Sequence, residues 1–398
     1  MKLATKRRKL TRCVTLDELT PRHAQMLSAI WFHAGLSRSD LHEHTGVRLR
    51  TVGSLVEELV KWNLVEQGLP RIAGVGRPQV PLAVNINGSR LLGVSIVPKQ
   101  VSVALTDLRG NVLQRDHRAD VRGVDALMSL ASRLIRARVK DRLFAIGISL
   151  SGFVDEQSDT WLLSSAHPKR QQVSLKPLKK AAGKIPIVID NELHAMSAAV
   201  HLNGTVMRDD TLLIHLDDGR LAASMLVDGK PNRGSIRAAN ELGHTTMPVE
   251  TERCYCGKVG CIERIFSRKF AGASPREFLS SLNATRRSAR TNEMIHLTGR
   301  AIANAVNFFR PASLIIASPL ELSETFKREF ADALAGHTLS ILWQRLSVTW
   351  QPWSDDRSAT AAAMLPIADS FARAIDFPLS ALYMRGERDG VRSISPQT

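Results

Sequence analysis

Three of the chain's four cysteines fall within eight residues, the stretch "CYCGKVGC" from Cys254 to Cys261, with His244 a short distance before them. Few features restrict a loop as much. One imidazole and three thiolates form the set that a tetrahedral structural zinc site uses, and four protein ligands leave no position for an activated water. His244, Cys254, Cys256 and Cys261 are therefore candidate ligands of a structural Zn2+, and Gly257 and Gly260 let the chain turn tightly between them. Reduced cysteines on an ordinary loop are the alternative, because Cys-x-Cys is less specific than paired Cys-x-x-Cys knuckles. Cys13 falls outside the set and reads as a free thiol in a basic N-terminal tail.

The cysteine pattern does not make a secreted disulfide framework. The N-terminus "MKLATKRRKLTRC" is basic but has no apolar segment behind it, so it does not read as a secretory signal. No apolar run approaches the ~18 residues of a membrane span. These features place the chain in the cytoplasm, away from the membrane. Its 398 residues suit two or three domains, and a formal charge of +16 points to a polyanionic partner. Residues 1–90 carry fourteen Lys and Arg against seven Asp and Glu, so the front end is enriched in positive charge.

That front end has a readable pattern. Met26, Leu27, Ile30 and Trp31 recur at helical spacing, predicting a helix that starts near Thr20 with Pro21 at its first position. A second helix is expected from Ser37 or Ser39 to Gly46, and a third carries Val52, Leu55, Val56, Leu59 and Val60 on one face. This is a helix-turn-helix pattern, in which the first turn of the third helix reaches the major groove. Arg48, Arg50, Thr51 and Ser54 occupy that turn and are candidate contacts to double-stranded operator DNA. A solvated helix face is the bland reading; the tight turn, the basic tail and the next segment favour DNA. In "NLVEQGLPRIAGVGRPQVPLAVN", two apolar segments flank a glycine-rich tip, which reads as the hairpin of a winged helix with Gly74, Gly76, Arg77 and Pro78 at its tip. Arg77 suits a narrow minor groove; an ordinary linker is the alternative.

From about Leu91 the pattern changes to strands, helix and strand. "LLGVSIVPKQVSVALTDLRGNVL" predicts a hairpin, "VDALMSLASRLIRARVK" a helix and "LFAIGISL" a buried strand. A second unit begins at "IPIVIDNELHA", where a strand delivers Asp190, Asn191 and Glu192 to the start of a helix. The strands "TLLIHLDD", "LAASMLVDGKP", "ASLIIASP" and "LSVTWQ" come next, with helices between them. Two α/β halves in series are expected.

The ordered set "GRPQVPLAVN", "VALTDLRGNV", "IPIVIDNELHA", "NELGH" and "CYCGKVGCIE" resembles the ROK family of sugar kinases and sugar-responsive repressors, in its repressor branch with an N-terminal winged helix-turn-helix. That branch includes xylose-, glucose- and N-acetylglucosamine-responsive regulators. The resemblance covers essentially the whole chain, and the Glu-x-Gly-His and Cys-x-Cys-Gly-x-x-Gly-Cys-x-Glu pair is its most specific part. It implies an α/β fold: a winged helix-turn-helix at 20–88 behind a basic tail at 1–19, then a ROK-type domain at 89–398. That domain would consist of two actin-like, hexokinase-type (ribonuclease H-like) lobes, with a zinc-binding loop at 244–263 and a sugar or sugar-derived effector between the lobes. Glu241, His244 and Glu263 match family positions that hydrogen-bond sugar hydroxyls, and Asn191 and Glu192 match the family's Asn-Asp pair.

Catalysis is not expected. Where the resembled kinases carry Asp-x-Gly-x-Thr, this chain has Ser95 and Val97; where they carry Gly-Thr-Gly-x-Gly, it has "DDGRLAA" at 217–223; a late glycine pair is replaced by Ser318 and Pro319. Glu192 stands for the catalytic Asp, and its extra methylene displaces the carboxylate from an aligned attack. The expectation is a DNA-binding transcriptional regulator, a homo-dimer or tetramer on a pseudo-palindromic operator, with repression the commoner outcome in the resembled branch. A residual sugar kinase with an accessory DNA-binding segment is the alternative.

Overall fold

The structure, a computed structural model, describes residues 14–71, 78–162, 164, 167, 169, 172–204, 210–234 and 240–374. The tail to Cys13 and the expected wing tip at Gly74, Gly76 and Arg77 lie outside these residues.

The N-terminal helices begin and end on their predicted signals. Thr20 caps α1 (Pro21–Phe32), its hydroxyl accepting from the His23 amide at 3.3 Å. Ser37 caps α2 (Arg38–Thr45) in a reciprocal box with Asp40, and Gly46 ends it. In α3 (Leu49–Lys61), Val52, Val56 and Leu59 are buried against the other two helices. His23 on α1 meets Glu58 on α3 at 3.0 Å. Antiparallel strands β1 (Val65–Gln67) and β2 (Leu82–Val84) form the base of the wing, with Val65 opposite Val84.

Two five-stranded sheets of the same topology come after the head. The first is built from β3 (Arg90–Val97), β4 (Gln100–Asp107), β5 (Val112–Arg118) and, after α4 (Val124–Arg138), β6 (Leu143–Leu150). Three short strands, β7 (Phe153–Asp155), β8 (Thr160–Leu162) and β9 (Gln172–Ser174), form a small separate sheet before α5 (Lys176–Ala182) and the last strand of the first sheet, β10 (Ile187–Asn191). The order is β10-β6-β3-β4-β5. Helix α6 (Glu192–Leu202) then leads to β11 (Thr211–Asp217), β12 (Arg220–Val227) and β13 (Lys230–Pro231). Helices α7 (Ile262–Ile265), α8 (Arg268–Ala271), α9 (Phe278–Asn283) and α10 (Ala289–Phe309) precede β14 (Ser313–Ser318), and α11 (Glu324–Ala335) and α12 (Ser340–Trp343) precede β15 (Ser347–Pro352). The second sheet runs β13-β12-β11-β14-β15. In both, an antiparallel hairpin is extended by parallel strands, the repeat that the sequence pattern implied.

The halves are not simply serial. The last helix, α13 (Asp355–Ala372), returns from the second half to lie on β3, β4 and β6 of the first sheet and alongside α6. Its approach is close because both strands offer a glycine: a Cβ on Gly93 would stand 1.8 Å from the Ala359 carbonyl oxygen, and one on Gly147 1.8 Å from that of Ala362. The alanine-rich face of α13 completes the contact with Ala361, Ala362 and Ala363 buried. One hydrophobic core therefore runs from α1 through α6 and α13. The Trp31 indole donates to the Leu202 carbonyl at the end of α6, at 2.9 Å, and packs edge-on to Phe371 of α13 at 5.7 Å.

Gly147→Ala should force α13 off the first sheet and cost about 1–3 kcal/mol, the usual range for overpacking. The expected readout is a lower urea midpoint; an unchanged midpoint contradicts the close contact.

Candidate functional site

The cysteine loop gathers its four side chains. His244 ends a short 3-10 turn, Cys254 and Cys256 lie on the following loop, and Cys261 immediately precedes α7. One ligand atom from each of the four lies within 4.8 Å of all the others. The His244 Nδ1 to Cys254 Sγ distance is 3.6 Å, as is Cys256 Sγ to Cys261 Sγ. Tetrahedral metal–sulfur arms of ~2.3 Å place ligand atoms about 3.8 Å apart, so the donor set and its spacing fit one metal ion. Gly260 is needed for the turn: its φ is +82°, and a Cβ there would meet the Met247 carbonyl oxygen at 2.4 Å.

Electrostatics support the same reading. Burial opposes ionisation of Cys254, but hydrogen bonds from His244, the Cys256 backbone and Arg264 outweigh it and bring the thiol down to about 6. Burial and the neighbouring Cys256 and Cys254 sulfurs push Cys261 up to about 12. Three close sulfurs cannot all ionise without a cation among them, and a divalent metal supplies the compensating charge.

On the other side of this loop lies a cleft between the two sheets' domains. The β10–α6 junction delivers Asn191 and Glu192 to it. Asn191 is committed to structure: its Oδ1 accepts from the Leu193 amide at 2.7 Å, and its Nδ2 donates to the Gly152 carbonyl at 2.6 Å. From the second half come Glu241, His244 and Glu263. Burial raises both glutamates' carboxyls, Glu263 to about 7. His244 faces two ways. Its Nδ1 looks toward the thiols, while Nε2 sits 3.0 Å from the Tyr255 hydroxyl and 3.6 Å from Glu241 Oε2 on the cleft side. One imidazole can thus join a metal centre to a ligand cleft.

The structure adds two residues that the sequence reading did not single out. Tyr255, between the first two clustered cysteines, lines the cleft with its ring edge-on to His244. Arg220, at the start of β12, reaches across the cleft so that its Nη2 lies 2.6 Å from Glu192 Oε1. The only signal for Arg220 was a guanidinium inside "DDGRLAA", a stretch read for its missing glycines. In that stretch Asp218 accepts the Arg268 amide at 2.9 Å and pairs with the Arg268 guanidinium. His194 lies beneath the cleft, fully buried, 2.6 Å from Asp190, whose other oxygen receives Arg233 Nε at 2.7 Å. The cleft's cavity is about 40 Å³, little more than one water's share and far below the ~300 Å³ of a typical small-molecule pocket.

At the other end of the molecule, Arg48, Arg50, Thr51 and Ser54 are exposed together around the first turn of α3. Neither guanidinium forms an ion pair among the described residues. The four lie on one helix end, as expected; Arg77 lies outside the described residues.

Comparison with known proteins bears on the family and the fold. The sequence model of the ROK family matches residues 91–368. The chain is 27% identical to the xylose repressor of Caldicellulosiruptor bescii over 318 residues, covering 71% of this chain and 79% of that protein. In fold it is similar to a ROK family transcriptional regulator described as a homologue of the E. coli MLC protein, with a TM-score of 0.69, 20% identity, and coverage of 91% of this chain and 99% of that one. It also resembles a ROK family glucokinase from Streptomyces griseus in complex with glucose and AMPPNP, with a TM-score of 0.53, 19% identity, and coverage of 69% and 98%.

Purified chain should contain about one equivalent of divalent metal by atomic emission, as the closed four-ligand set implies. Cys261→Ser should lose most of it and Cys13→Ser should keep it; equal metal content in the two variants contradicts the assignment.

Proposed function

This chain belongs to the ROK family, and from that premise we propose that it is a DNA-binding transcriptional regulator, a repressor, whose paired lobes sense a sugar or sugar derivative and set the affinity of the N-terminal winged helix for an operator. One observation carries the reading: an exposed basic helix end and a cleft of sugar-suited side chains share a single continuous core. The repressor name of a relative aligned over most of the chain supports it.

In this reading Arg48, Arg50, Thr51 and Ser54 contact phosphates and base edges, and Arg77 enters the minor groove. Glu192, Glu241, His244 and Glu263 bind sugar hydroxyls, with Asn191 holding the β10–α6 corner. Zn2+, held by His244, Cys254, Cys256 and Cys261, supplies structural charge compensation and no activated water. The cluster's task is to aim His244 Nε2 and the flanking glutamates into the cleft. No helix among the described residues is long and apolar enough to cross a membrane, and a cytoplasmic homo-dimer or tetramer on paired half-sites suits the proposed role.

The likeness to a glucokinase keeps a residual kinase as the second reading. Against it, Ser95 is buried within β3 where a phosphate loop would need an exposed acid, Asp218 is tied to Arg268, and the Glu192 carboxylate is paired with Arg220. A general base engaged by a guanidinium is poorly placed to take a hydroxyl proton.

Coupling between the ends has a physical route. Helix α6 begins at Glu192 in the cleft and ends at Leu202, which accepts the Trp31 indole of the head; its eleven residues span about 16 Å. Alongside it, Asp369 of α13 lies 3.8 Å from Arg233, which also binds Asp190, and Phe371 of α13 packs on Trp31 and Phe32. A ligand that rearranges the cleft moves these two helices and the head they carry, and by linkage DNA changes ligand affinity by the same factor.

Duplexes selected from a random pool provide the test. Arg50→Ala should weaken binding to the selected duplex at least about tenfold if it reads a base, or reduce the salt slope by about one if it neutralises a phosphate. Trp31→Phe should retain DNA and sugar binding but reduce their mutual effect. Sustained ADP release from Mg-ATP with any bound sugar overturns the regulator reading in favour of the kinase.

A further inference from the structure

The cleft contains its own positive charge. Three carboxyl groups line it, those of Glu192, Glu241 and Glu263, and Arg220 is its one guanidinium or ammonium group among the described residues. Arg264, on α7, is not among the residues lining the cleft, but its guanidinium lies 5.7 Å from the Tyr255 ring and 3.6 Å from Glu252, and its charge favours the ionised form of Glu263. His215, also lining the cleft, is held neutral: burial, reinforced by the charge of Arg220, lowers it to about 3. Arg220 comes from the second half and Glu192 from the first, and their side chains are only 28% and 12% exposed. The pair therefore closes the cleft and gives the Glu192 carboxylate its countercharge.

A cavity of about 40 Å³ is too small for a sugar ring, and Arg220, which spans it to Glu192, is among the side chains that fill it. A ligand must displace this side chain, and the ligand's charge sets the cost of doing so. A neutral sugar leaves the poorly solvated Glu192 carboxylate without its countercharge, beside two further carboxyl groups. An anionic sugar adds a fourth acid to the same space. A cationic sugar substitutes one N–H donor for another at the same carboxylate, while Glu241, Glu263, His244 Nε2 and the Tyr255 hydroxyl remain for its hydroxyls.

We propose that Arg220 occupies the place of the effector's own positive charge and that the cleft selects an amino sugar with a free ammonium group, bound to Glu192. The inference rests on the sensor reading above. Arg220 is then a specificity-determining residue: an internal competitor that only a ligand of the same charge replaces without leaving a buried carboxylate unpaired.

The experiment is calorimetric titration of the full-length, metal-loaded protein near neutral pH. The probes are glucosamine, galactosamine and mannosamine, each against its neutral hexose and its N-acetylated form, with gluconate and glucose 6-phosphate as anionic probes. One amino sugar should bind at least about tenfold tighter than both of its uncharged counterparts. Glu192→Gln, of nearly the same shape, should reduce that preference to about twofold or less, and Arg220→Gln should raise amino-sugar affinity by about threefold or more by removing the competitor. Thermal unfolding of both variants checks that they fold. A neutral or anionic sugar that binds as tightly as any amino sugar overturns the proposed ligand class and leaves the sensor reading standing. A preference that survives Glu192→Gln, or an amino-sugar affinity unchanged by Arg220→Gln, overturns the role of the pair. Failure of every sugar to bind both the wild type and Arg220→Gln overturns the sensor reading as well.

Discussion

The return of α13 onto the first sheet is the contact on which the rest of the molecule depends. Helix backbone meets strand backbone at Gly93 and Gly147, at a separation that admits no side chain on either strand. With α13 held there, its far end presents Phe371 to the head and its Asp369 to Arg233. Helix α6, packed along it, is held between the cleft at Glu192 and the head at Leu202. The head is consequently part of a packed core rather than a bead on a linker. Burying a Trp or Phe side chain contributes on the order of 2–3 kcal/mol, so Trp31 and Phe371 together make the head's position costly to change without moving the helices beneath it.

The metal loop and the cleft solve one electrostatic problem from two sides. Cys254, Cys256, Cys261, Glu241 and Glu263 concentrate acidic groups around a single imidazole. The thiols are grouped so that one metal ion could balance them, whereas the cleft supplies its own cation in Arg220. His244 stands between the two, and its orientation reflects both: Nδ1 toward sulfur, Nε2 toward the hydroxyl of Tyr255.

Much of this was legible in the chain because it is local. Helix starts at Thr20 and Ser37 arise from side chains that satisfy free backbone amides within three residues, and the buried stripe of α3 arises from helical periodicity. Alternating strand patterns implied the two similar sheets, and the spacing of the Cys₃His set implied a metal centre. The small sheet of β7, β8 and β9 was not legible because strands of three residues carry too little alternation to read. The position of α13 was hidden for another reason. Its alanines are compatible with any close-packed surface, and nothing in their spacing says which sheet's glycines they meet.

By itself, the sequence determined the three helices of the head and the long strands of the two sheets, which four side chains can hold a metal, and which helix end carries exposed arginines. Those properties arise from neighbours along the chain, where capping, periodicity and ligand chemistry act over a few residues. Only the tertiary structure decided that Arg220 closes on Glu192, that Tyr255 faces the cleft, and that α13 joins the second half to the first and to the head. The physical reason is range: an ion pair between residues 28 apart, on different sheets' domains, exists only where the backbone paths of both are already set, and local spacing carries no information about that meeting.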